Sequence, residues 1–311
     1  MTKIAFVFPG QGSQSVGMLN SFADSEPAQD VIRRADEALG QSLSSLIAQG
    51  PADDLALTVN TQPAMLTASM AMYAAWRAAG GARPAVVAGH SLGEYSALTA
   101  AGVFRLEDAV RLVRFRAQVM QEAVPVGTGS MAAILGLSDE QVQQACAEAA
   151  QGEVVEAVNF NAPSQVVIAG HTAAVERACE AAKKLGAKRA LPLAVSAPFH
   201  SSLLKPASVQ LAQRLSTVDM ESPGVALINN IDVAVEDEPA RIRDALARQA
   251  AGPVRWSQII SRMAADGVTH VVECGPGKVL SGLTRRIAPS LESLSISDAA
   301  SLDDVLSKLP A

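Results

Sequence analysis

The sequence predicts a mixed α/β protein built as two subdomains. Three observations support this prediction. Strand-like and helix-like segments alternate along most of the 311 residues, a Gly-x-Ser-x-Gly pentapeptide joins a strand to a helix, and a β-α-β-β-α-β order occupies the middle of the chain. With 49% hydrophobic residues, the chain can bury one large core or two modest ones.

The segments before residue 125 and after residue 196 follow the α/β order of a large subdomain. Short apolar runs predict strands, and longer runs with a period of about 3.6 predict helices. The expected strands are residues 4–8, 85–88 and 268–272, and the expected helices are residues 63–79, 94–101, 106–124 and 280–287. The large subdomain is therefore assigned to residues 1–124 and 197–311, and its fold is expected to close with the last of these helices.

The intervening residues predict a small subdomain of the ferredoxin-like type. The expected strands are residues 131–135, 154–160, 165–169 and 190–193, and the expected helices are residues 138–150 and 172–185. Ser138 with Gln141 fits a capping box, Thr172 is the candidate N-cap of the second helix, and Gly186 ends that helix. Residues 125–196 are therefore expected to be an insertion in the large subdomain.

The pentapeptide Gly89-His90-Ser91-Leu92-Gly93 predicts a nucleophile elbow. A predicted strand precedes it, a predicted helix follows it, and its two glycines allow the sharp turn that exposes the Ser91 hydroxyl above the sheet. A serine held in this strained turn lies near a helix N-terminus, where main-chain N–H groups can stabilise an oxyanion. The large subdomain is thus predicted to be α/β-hydrolase-like, with Ser91 as its nucleophile.

A nucleophilic serine needs a base, and the sequence offers four histidines. His90 adjoins Ser91 on a tight turn, where neighbouring side chains diverge, so a structural role is expected for it. His171 begins a predicted helix and His270 lies in a predicted strand, where packing or surface roles are usual. His200 lies in a proline-containing loop where the chain leaves the small subdomain. His200 is therefore the candidate base, although the residues alone leave a plain loop role equally open.

The helix predicted after residue 105 carries one anomaly. Its apolar stripe includes Leu112, Val113 and Met120, and Arg116 interrupts that stripe. A guanidinium that points inward must be paired, and its planar fork suits a carboxylate. That carboxylate belongs either to the protein or to a substrate, and the pattern alone does not decide between them.

The loop after the first strand, residues 9–17, is rich in glycine and serine. A dinucleotide-binding interpretation would need glycine or alanine at position 15, where Ser15 stands, and is disfavoured. Gln11 follows a strand that is expected beside the elbow strand. Its amide is a candidate to order the site or to assist the Leu92 N–H in an oxyanion hole, and a solvent-facing amide is the alternative.

The composition disfavours several classes of protein. A net charge of −6 argues against broad nucleic-acid binding, which needs a basic surface. No apolar run is long enough for a membrane-spanning helix or a signal peptide, so a cytoplasmic location is expected. Three cysteines without C-x-x-C spacing predict neither disulfides nor a zinc site.

Six ordered blocks carry a family resemblance over nearly the whole chain. They are PGQGSQ at 9–14, GHSLGEY at 89–95, PFHS at 198–201, NNIDV at 229–233, PVRW at 253–256 and ECGPGKVL at 273–280. With these blocks the chain resembles the malonyl-CoA:acyl carrier protein transacylases. The resemblance implies the two-subdomain architecture. It also implies transfer of a malonyl group from malonyl-CoA to the phosphopantetheine thiol of holo acyl carrier protein, for fatty acid or polyketide synthesis.

The resemblance implies a role for each of the main candidates. Ser91 would be the nucleophile and His200 its base. Gln11 and the Leu92 N–H would form the oxyanion hole, and Arg116 would hold the malonyl carboxylate. The reaction would then be a ping-pong cycle through a malonyl-serine ester.

Three further residues receive roles from the same resemblance. The main-chain carbonyl of Gln249 would orient the histidine, Asn161 is a candidate pocket residue, and Phe199 would favour malonyl over methylmalonyl groups. Neither a metal nor a bound cofactor is expected, because CoA and phosphopantetheine enter as parts of the substrates.

Two other functions share some of these features. A serine esterase or thioesterase of the α/β-hydrolase type would show the order Ser, acid, His and often an HGGG-type loop, and neither is evident. A non-catalytic module that binds carrier proteins would keep the fold but lack Ser91 or His200, and both are present.

An acidic enzyme that binds an acidic carrier protein needs a local basic patch. The candidates for carrier docking are Lys188, Arg189 and Arg286, and a solvated charged surface is the alternative interpretation. No nucleic-acid or membrane partner is expected, and the protein is expected to be a monomer.

Overall fold

The computed structural model describes residues 2–309 and shows a mixed α/β architecture with two sheets. The strands are β1 Ile4–Phe8, β2 Val86–Gly89, β3 Gly129–Leu135, β4 Val155–Ala162, β5 Gln165–His171, β6 Arg189–Pro192, β7 Ala226–Leu227, β8 His270–Cys274 and β9 Glu292–Ile296. The helices of the first half are α1 Glu26–Leu39, α2 Leu43–Gln49, α3 Ala52–Ala56, α4 Thr58–Ala78, α5 Gly93–Ala100, α6 Leu106–Glu122 and α7 Asp139–Ala150. Those of the second half are α8 Thr172–Lys184, α9 Lys205–Leu215, α10 Pro239–Gln249, α11 Trp256–Ala265, α12 Val279–Ile287 and α13 Ala299–Lys308.

The larger sheet is parallel and positions the loops of the site. Its strand order is β7-β2-β1-β8-β9, with β1 between β2 and β8. Every residue of β1 is buried, as expected for a central parallel strand covered by helices on both faces. Phe6 and Phe8 pack into the core on one face, and Ala5 and Val7 pack into the core on the other. Since β1 and β2 are parallel neighbours, the loops that follow them meet at one edge of the sheet.

The smaller sheet is antiparallel, with strand order β4-β5-β3-β6. Helices α7 and α8 cover one face, against alternate side chains of β3 such as Ala132 and Ile134. The other face carries Met131, and its apolar cluster includes Phe199 from the segment that follows β6. The side of this sheet away from its helices therefore faces the segment that carries His200.

Several predicted boundaries are wrong in detail. Helix α4 begins at Thr58 and contains Pro63, whereas a start at Pro63 was expected. The N-cap of α8 is His171, and Thr172 is its first residue. The fold does not close with α12, because β9 pairs with β8 and α13 follows. The capping box of Ser138 and Gln141 is confirmed.

Between residues 2 and 309, no helix is long and apolar enough to cross a membrane.

Candidate active site

Ser91 stands on a strained turn between β2 and α5. Its φ is 52°, in the left-handed region that disfavours a side chain. A Cβ at Gly89 would lie 1.8 Å from the Gly93 carbonyl oxygen, and one at Gly93 would lie 2.0 Å from the Phe8 carbonyl oxygen. Only glycine fits both positions, because the strand, the helix and the neighbouring β1 approach so closely. The turn therefore has the geometry of a nucleophile elbow.

Asn230 braces this turn from the loop that follows β7. Its Oδ1 accepts a hydrogen bond from the Ser91 N–H at 2.7 Å, and its Nδ2 donates to the Gly89 carbonyl at 2.7 Å. Asn230 is fully buried. The Ser91 N–H is thus occupied by the protein and is not free to stabilise an oxyanion.

The structure brings Ser91 and His200 together. Ser91 Oγ lies 2.6 Å from His200 Nε2, and His200 Nδ1 lies 2.8 Å from the Gln249 carbonyl oxygen. A carbonyl can only accept, so Nδ1 carries the proton and Nε2 presents its lone pair to the serine hydroxyl. His200 also has a positive φ, 67°, so both members of the pair are held in strained backbone.

The surroundings of His200 keep its imidazole neutral. The pKa of His200 is lowered to about 3 by burial and, to a smaller extent, by the positive charge of Arg116, while the bond to the Gln249 carbonyl opposes the shift. The imidazole is therefore available to accept a proton throughout the neutral pH range.

Arg116 is buried beside the nucleophile. Its Nη1 donates to Gln62 Oε1 at 2.9 Å, and its Nη2 donates to Gln249 Oε1 at 2.9 Å and to Ser91 Oγ at 3.1 Å. Its guanidinium lies 5.3 Å from the centre of the Tyr95 ring. Among residues 2–309, no carboxylate comes within 4.0 Å of this guanidinium. The internal ion pair that the sequence left open is thus not formed.

The two predicted oxyanion donors lie at the same cavity. Gln11 follows β1, and its Nε2 donates to Thr58 Oγ1 at 3.1 Å, which leaves its second N–H without an acceptor among residues 2–309. The Leu92 N–H donates to no protein acceptor in the described part of the chain. Both residues line the cavity next to Ser91.

The cavity has a volume of about 270 Å³ and opens between the two sheets. Its walls come from the loop after β1, the elbow, α3, α4, α6, the smaller sheet and the segment after β6. The lining residues are Gln11, Gly12, Gln14, Ala56, Gln62, His90, Ser91, Leu92, Arg116, Met120, Met131, Asn159, Leu193, Ala194, Val195, Phe199 and His200. In residues 2–309, no group of three or more His, Cys, Asp or Glu side chains is placed to hold a metal ion.

Asn161 stays a predicted pocket residue, and the structure places it behind the cavity wall. Its Oδ1 lies 2.8 Å from His90 Nε2, so it contacts a residue of the cavity wall but does not line the cavity itself. Asn159 lines the cavity instead, because irregular pairing of β4 with β5 shifts the register near this residue. The Asn159 side chain is 7% exposed, and its Nδ2 has no partner within residues 2–309.

Three buried polar residues around Arg116 received no role from the sequence. Gln62 was missed because the predicted start of α4, at Pro63, was five residues too late and excluded it. Glu94 and Asn230 lie within resemblance blocks but carried no role there. Glu94 could have been found by the signal that identified Arg116, because each is a charged residue within a mostly apolar helix face.

The predicted docking residues lie apart from the catalytic pair. Lys188 and Arg189 stand just before and at the start of β6, and the segment after this strand lines the cavity. Arg286, on α12, donates to Gln165 Oε1 and to the Pro163 carbonyl in the turn between β4 and β5. Arg286 therefore links the two sheets and is not simply a free surface charge.

This arrangement can activate Ser91 and stabilise a tetrahedral adduct formed on it. His200 can accept the hydroxyl proton, Gln11 and the Leu92 N–H are free to donate to an oxyanion, and Arg116 offers a cation next to the serine. The geometry suits transfer of an acyl group to a nucleophilic serine, and the cation suits an acyl group that carries a negative charge.

Comparisons with known proteins agree over the whole chain. A family model described as the acyl transferase domain matches residues 5–302. The chain is 53% identical to the malonyl CoA-acyl carrier protein transacylase of Salmonella typhimurium, over 99% of this chain and 100% of that protein.

Solved structures are also similar to the chain. The acyl-carrier-protein S-malonyltransferase from Burkholderia pseudomallei shares 64% sequence identity and a TM-score of 0.97, over 98% of this chain and all of that one. A malonyl-transacylase solved in complex with its type II PKS acyl-carrier protein shares 48% identity and a TM-score of 0.97, over 99% of this chain and 100% of that one.

Proposed function

The chain belongs to the acyl transferase family, and from this premise we propose that it transfers a malonyl group from malonyl-CoA to the phosphopantetheine thiol of holo acyl carrier protein. The observation that carries the proposal is Arg116, a buried cation bonded to Ser91 Oγ with no protein carboxylate within 4.0 Å in residues 2–309. A malonyl group brings the carboxylate that this guanidinium lacks.

In the first half of the reaction, Ser91 Oγ attacks the thioester carbonyl of malonyl-CoA while its proton passes to His200 Nε2. The resulting oxyanion accepts hydrogen bonds from Gln11 Nε2 and the Leu92 N–H. The C–S bond then breaks, and the CoA thiolate takes the proton from the imidazolium. A malonyl ester of Ser91 remains.

The second half repeats these steps with a new nucleophile. The phosphopantetheine thiol gives its proton to His200 Nε2, and its sulfur attacks the ester carbonyl. The C–O bond breaks, Ser91 Oγ regains a proton from the imidazolium, and malonyl acyl carrier protein leaves. We propose that no resident cofactor takes part, since the chain's own groups account for every proton transfer.

The orientation of the base supports this assignment over an ordinary hydrolase. In a Ser-His-acid enzyme, a carboxylate holds the second nitrogen of the histidine. Here His200 Nδ1 is held by the neutral main-chain carbonyl of Gln249. An esterase or thioesterase is the second candidate function, because it would share the nucleophile elbow. No other observation favours it.

The subdomain division is proposed at the same boundaries as in the sequence analysis. The parallel sheet and its elbow support an α/β-hydrolase-like unit formed by residues 1–124 and 197–311. The β3-α7-β4-β5-α8-β6 order and the strand order β4-β5-β3-β6 support a ferredoxin-like unit at residues 125–196. The cavity between them would be the acyl site.

Intact mass spectrometry tests the proposed reaction. After mixing with malonyl-CoA, the protein should gain the mass of one malonyl group, and addition of holo carrier protein should remove it. Ser91→Ala should gain no mass. Absence of a malonyl adduct, or an adduct that water removes as fast as the carrier does, would contradict the proposal.

A further inference from the structure

Glu94 is a buried carboxyl group that the reaction scheme does not use. It is the second residue of α5 and is 1% exposed. Its Oε2 accepts hydrogen bonds from the Asn230 N–H at 3.1 Å and from Gln249 Nε2 at 2.9 Å. A carboxyl group at this depth is tolerated because these donors and the helix N-terminus favour its charge.

The Gln249 side chain connects Glu94 to Arg116. Its Oε1 accepts from Arg116 Nη2, and its Nε2 donates to Glu94 Oε2, both at 2.9 Å. Gln249 is fully buried, and its amide is oriented with oxygen toward the cation and N–H toward the anion. One amide therefore separates the guanidinium from the nearest negative charge, in a region where water does not screen them.

A malonyl carboxylate would be the second anion at this cation. Resting on the proposed function, we infer that Glu94 is the internal counter-charge of Arg116 and that malonyl binding drives a proton onto Glu94. A carboxylate that contacts the guanidinium and a second one that lies one amide away disfavour each other's ionised form, so arrival of one promotes protonation of the other. The binding step would thus take up a proton and bring no net charge into the cavity.

Glu94 titrates in the range where such an exchange can occur. The net pKa of Glu94 is raised to about 7, because burial raises it by more than the bonds from Gln249 and Asn230 and the charge of Arg116 lower it. Near neutral pH the free protein therefore holds Glu94 partly ionised. A second negative charge at Arg116 raises this pKa further, so the bound state holds more protons.

The charged and titratable groups around Glu94 do not change state in the same range. Burial holds the pKa of His200 and His90 below the usual histidine value and that of Tyr95 above the usual tyrosine value. Asp232 is kept ionised by its bond to Arg248. The charged and titratable groups that interact with Glu94 are Arg116 on α6, Tyr95 on α5 and Asp232 after β7. His200 interacts with Arg116 and with His90 on the elbow. Proton uptake near neutral pH would thus belong to Glu94.

The sign of the pH dependence follows from this linkage. Above about pH 7, malonyl-CoA must bind together with a proton, so its affinity falls by up to about tenfold for each further pH unit. Below about pH 7, Glu94 is already neutral and the affinity becomes independent of pH. Acetyl-CoA carries the same nucleotide and no acyl carboxylate, so its affinity should lack this dependence.

Calorimetry on the full chain carrying Ser91→Ala tests the inference without turnover. Titrations at about pH 8 in buffers of different ionisation enthalpy should show uptake of up to about one proton for malonyl-CoA beyond that for acetyl-CoA. The Ser91→Ala, Glu94→Gln double variant should bind malonyl-CoA without the extra proton and with affinity independent of pH.

Glu273 provides the matched control. It is equally buried and its pKa is also raised by burial, but its carboxylate accepts from the Leu280 and Ser281 N–H groups at the start of α12, outside the cavity. Glu273→Gln in the Ser91→Ala background should leave the extra proton uptake unchanged.

Two results would overturn the inference. One is equal proton uptake for malonyl-CoA and acetyl-CoA in Ser91→Ala, which needs no change at Glu94 and so stands even if the Glu94 variant does not fold. The other is persistence of the extra uptake in a folded Glu94→Gln variant. The malonyl adduct of the unmodified chain is measured separately by mass spectrometry. If the adduct forms but the extra proton uptake is absent, this inference fails while the proposed reaction stands.

Discussion

Arg116 determines which acyl group the proposed reaction accepts. Replacement with alanine removes a charge-assisted, bidentate contact to the malonyl carboxylate, which is worth about 3 kcal/mol or roughly a hundredfold. We expect Arg116→Ala to lower kcat/KM for malonyl transfer by about that factor and to affect acetyl transfer far less. The measurement is the rate of acyl-enzyme formation from each CoA ester.

Arg111 on the same helix supplies the control for that experiment. Its side chain is about half exposed and bonds to the Ala38 carbonyl, away from the cavity. Arg111→Ala should leave both rates nearly unchanged. Equal losses for malonyl-CoA and acetyl-CoA in Arg116→Ala would mean that Arg116 only supports the structure of the site.

Phe199 borders the same cavity and limits its width. It packs against the apolar cluster of Met131 and Val158 on the smaller sheet and against the cluster of Met120 on α6. Phe199→Ser should make room for an α-methyl group and raise kcat/KM for methylmalonyl-CoA by about tenfold to a hundredfold, the range that one methyl group allows. If a folded variant that still uses malonyl-CoA rejects methylmalonyl-CoA, Phe199 does not set this preference.

Single residues with chemical anomalies could be identified from the sequence, but their partners could not. Arg116 was visible as a charge in an apolar stripe. The residues that hold it come from α4 and from the end of α10, far apart in the chain. No periodic pattern reports such contacts, because they depend on how separate helices pack.

The most consequential error in the predicted elements is the start of α4, which involves a proline. The predicted helix begins at Pro63, a position that agrees with the preference of proline for the first turn of a helix. The helix instead begins five residues earlier and tolerates Pro63 in its second turn. The residues missed before Pro63 include Thr58, which bonds to Gln11, and Gln62, which bonds to Arg116. A boundary error therefore concealed part of the site.

The elbow strand and its helix were predictable because their constraints are local. The variant Gly89→Ala tests how close β2 and α5 must be, because a Cβ at position 89 would lie 1.8 Å from the Gly93 carbonyl oxygen. We expect a loss of about 3 kcal/mol or more in the free energy of unfolding, and loss of acyl-enzyme formation in any folded fraction. Denaturant titration provides the measurement.

Gly282, within α12, is the matched control for Gly89. A Cβ there meets no atom within 4 Å. Gly282→Ala should stabilise the protein by about 0.5–1 kcal/mol, the usual gain for alanine in a helix interior, and leave activity intact. Similar stabilities for the two variants would show that β2 and α5 can separate at little cost.

The arrangement of the two sheets was predictable in kind because the order of elements differs sharply between them. The β-α-β-β-α-β order predicted an antiparallel unit, and the flanking alternation predicted a parallel one. The short edge strand β7 and the last strand β9 were not predicted. β7 has two residues, and the residues of β9 are mostly only half buried, so neither presents the apolar run that identified the inner strands.

Association with an acidic carrier protein is a property of the whole surface, because long-range charge steers the encounter. The chain itself carries a net charge of −6. Lys188 and Arg189 precede the segment that lines the cavity, and Arg286 lies on α12 where it bonds to the smaller sheet. We predict that these three positions guide the carrier protein toward the cavity that contains Ser91.

Reversal of Lys188, Arg189 and Arg286 to glutamate should raise the apparent KM for holo carrier protein and flatten its dependence on salt, with little change in acyl-enzyme formation from malonyl-CoA. Because Arg286 also links the sheets, the Lys188, Arg189 double reversal should be measured beside the triple one. Reversal of Lys3, Arg83 and Lys308, which surround a cavity at the opposite edge of the parallel sheet, changes the net charge equally and should have a smaller effect. Equal effects of the two triple reversals would show that only net charge matters and that the carrier does not dock at the predicted residues.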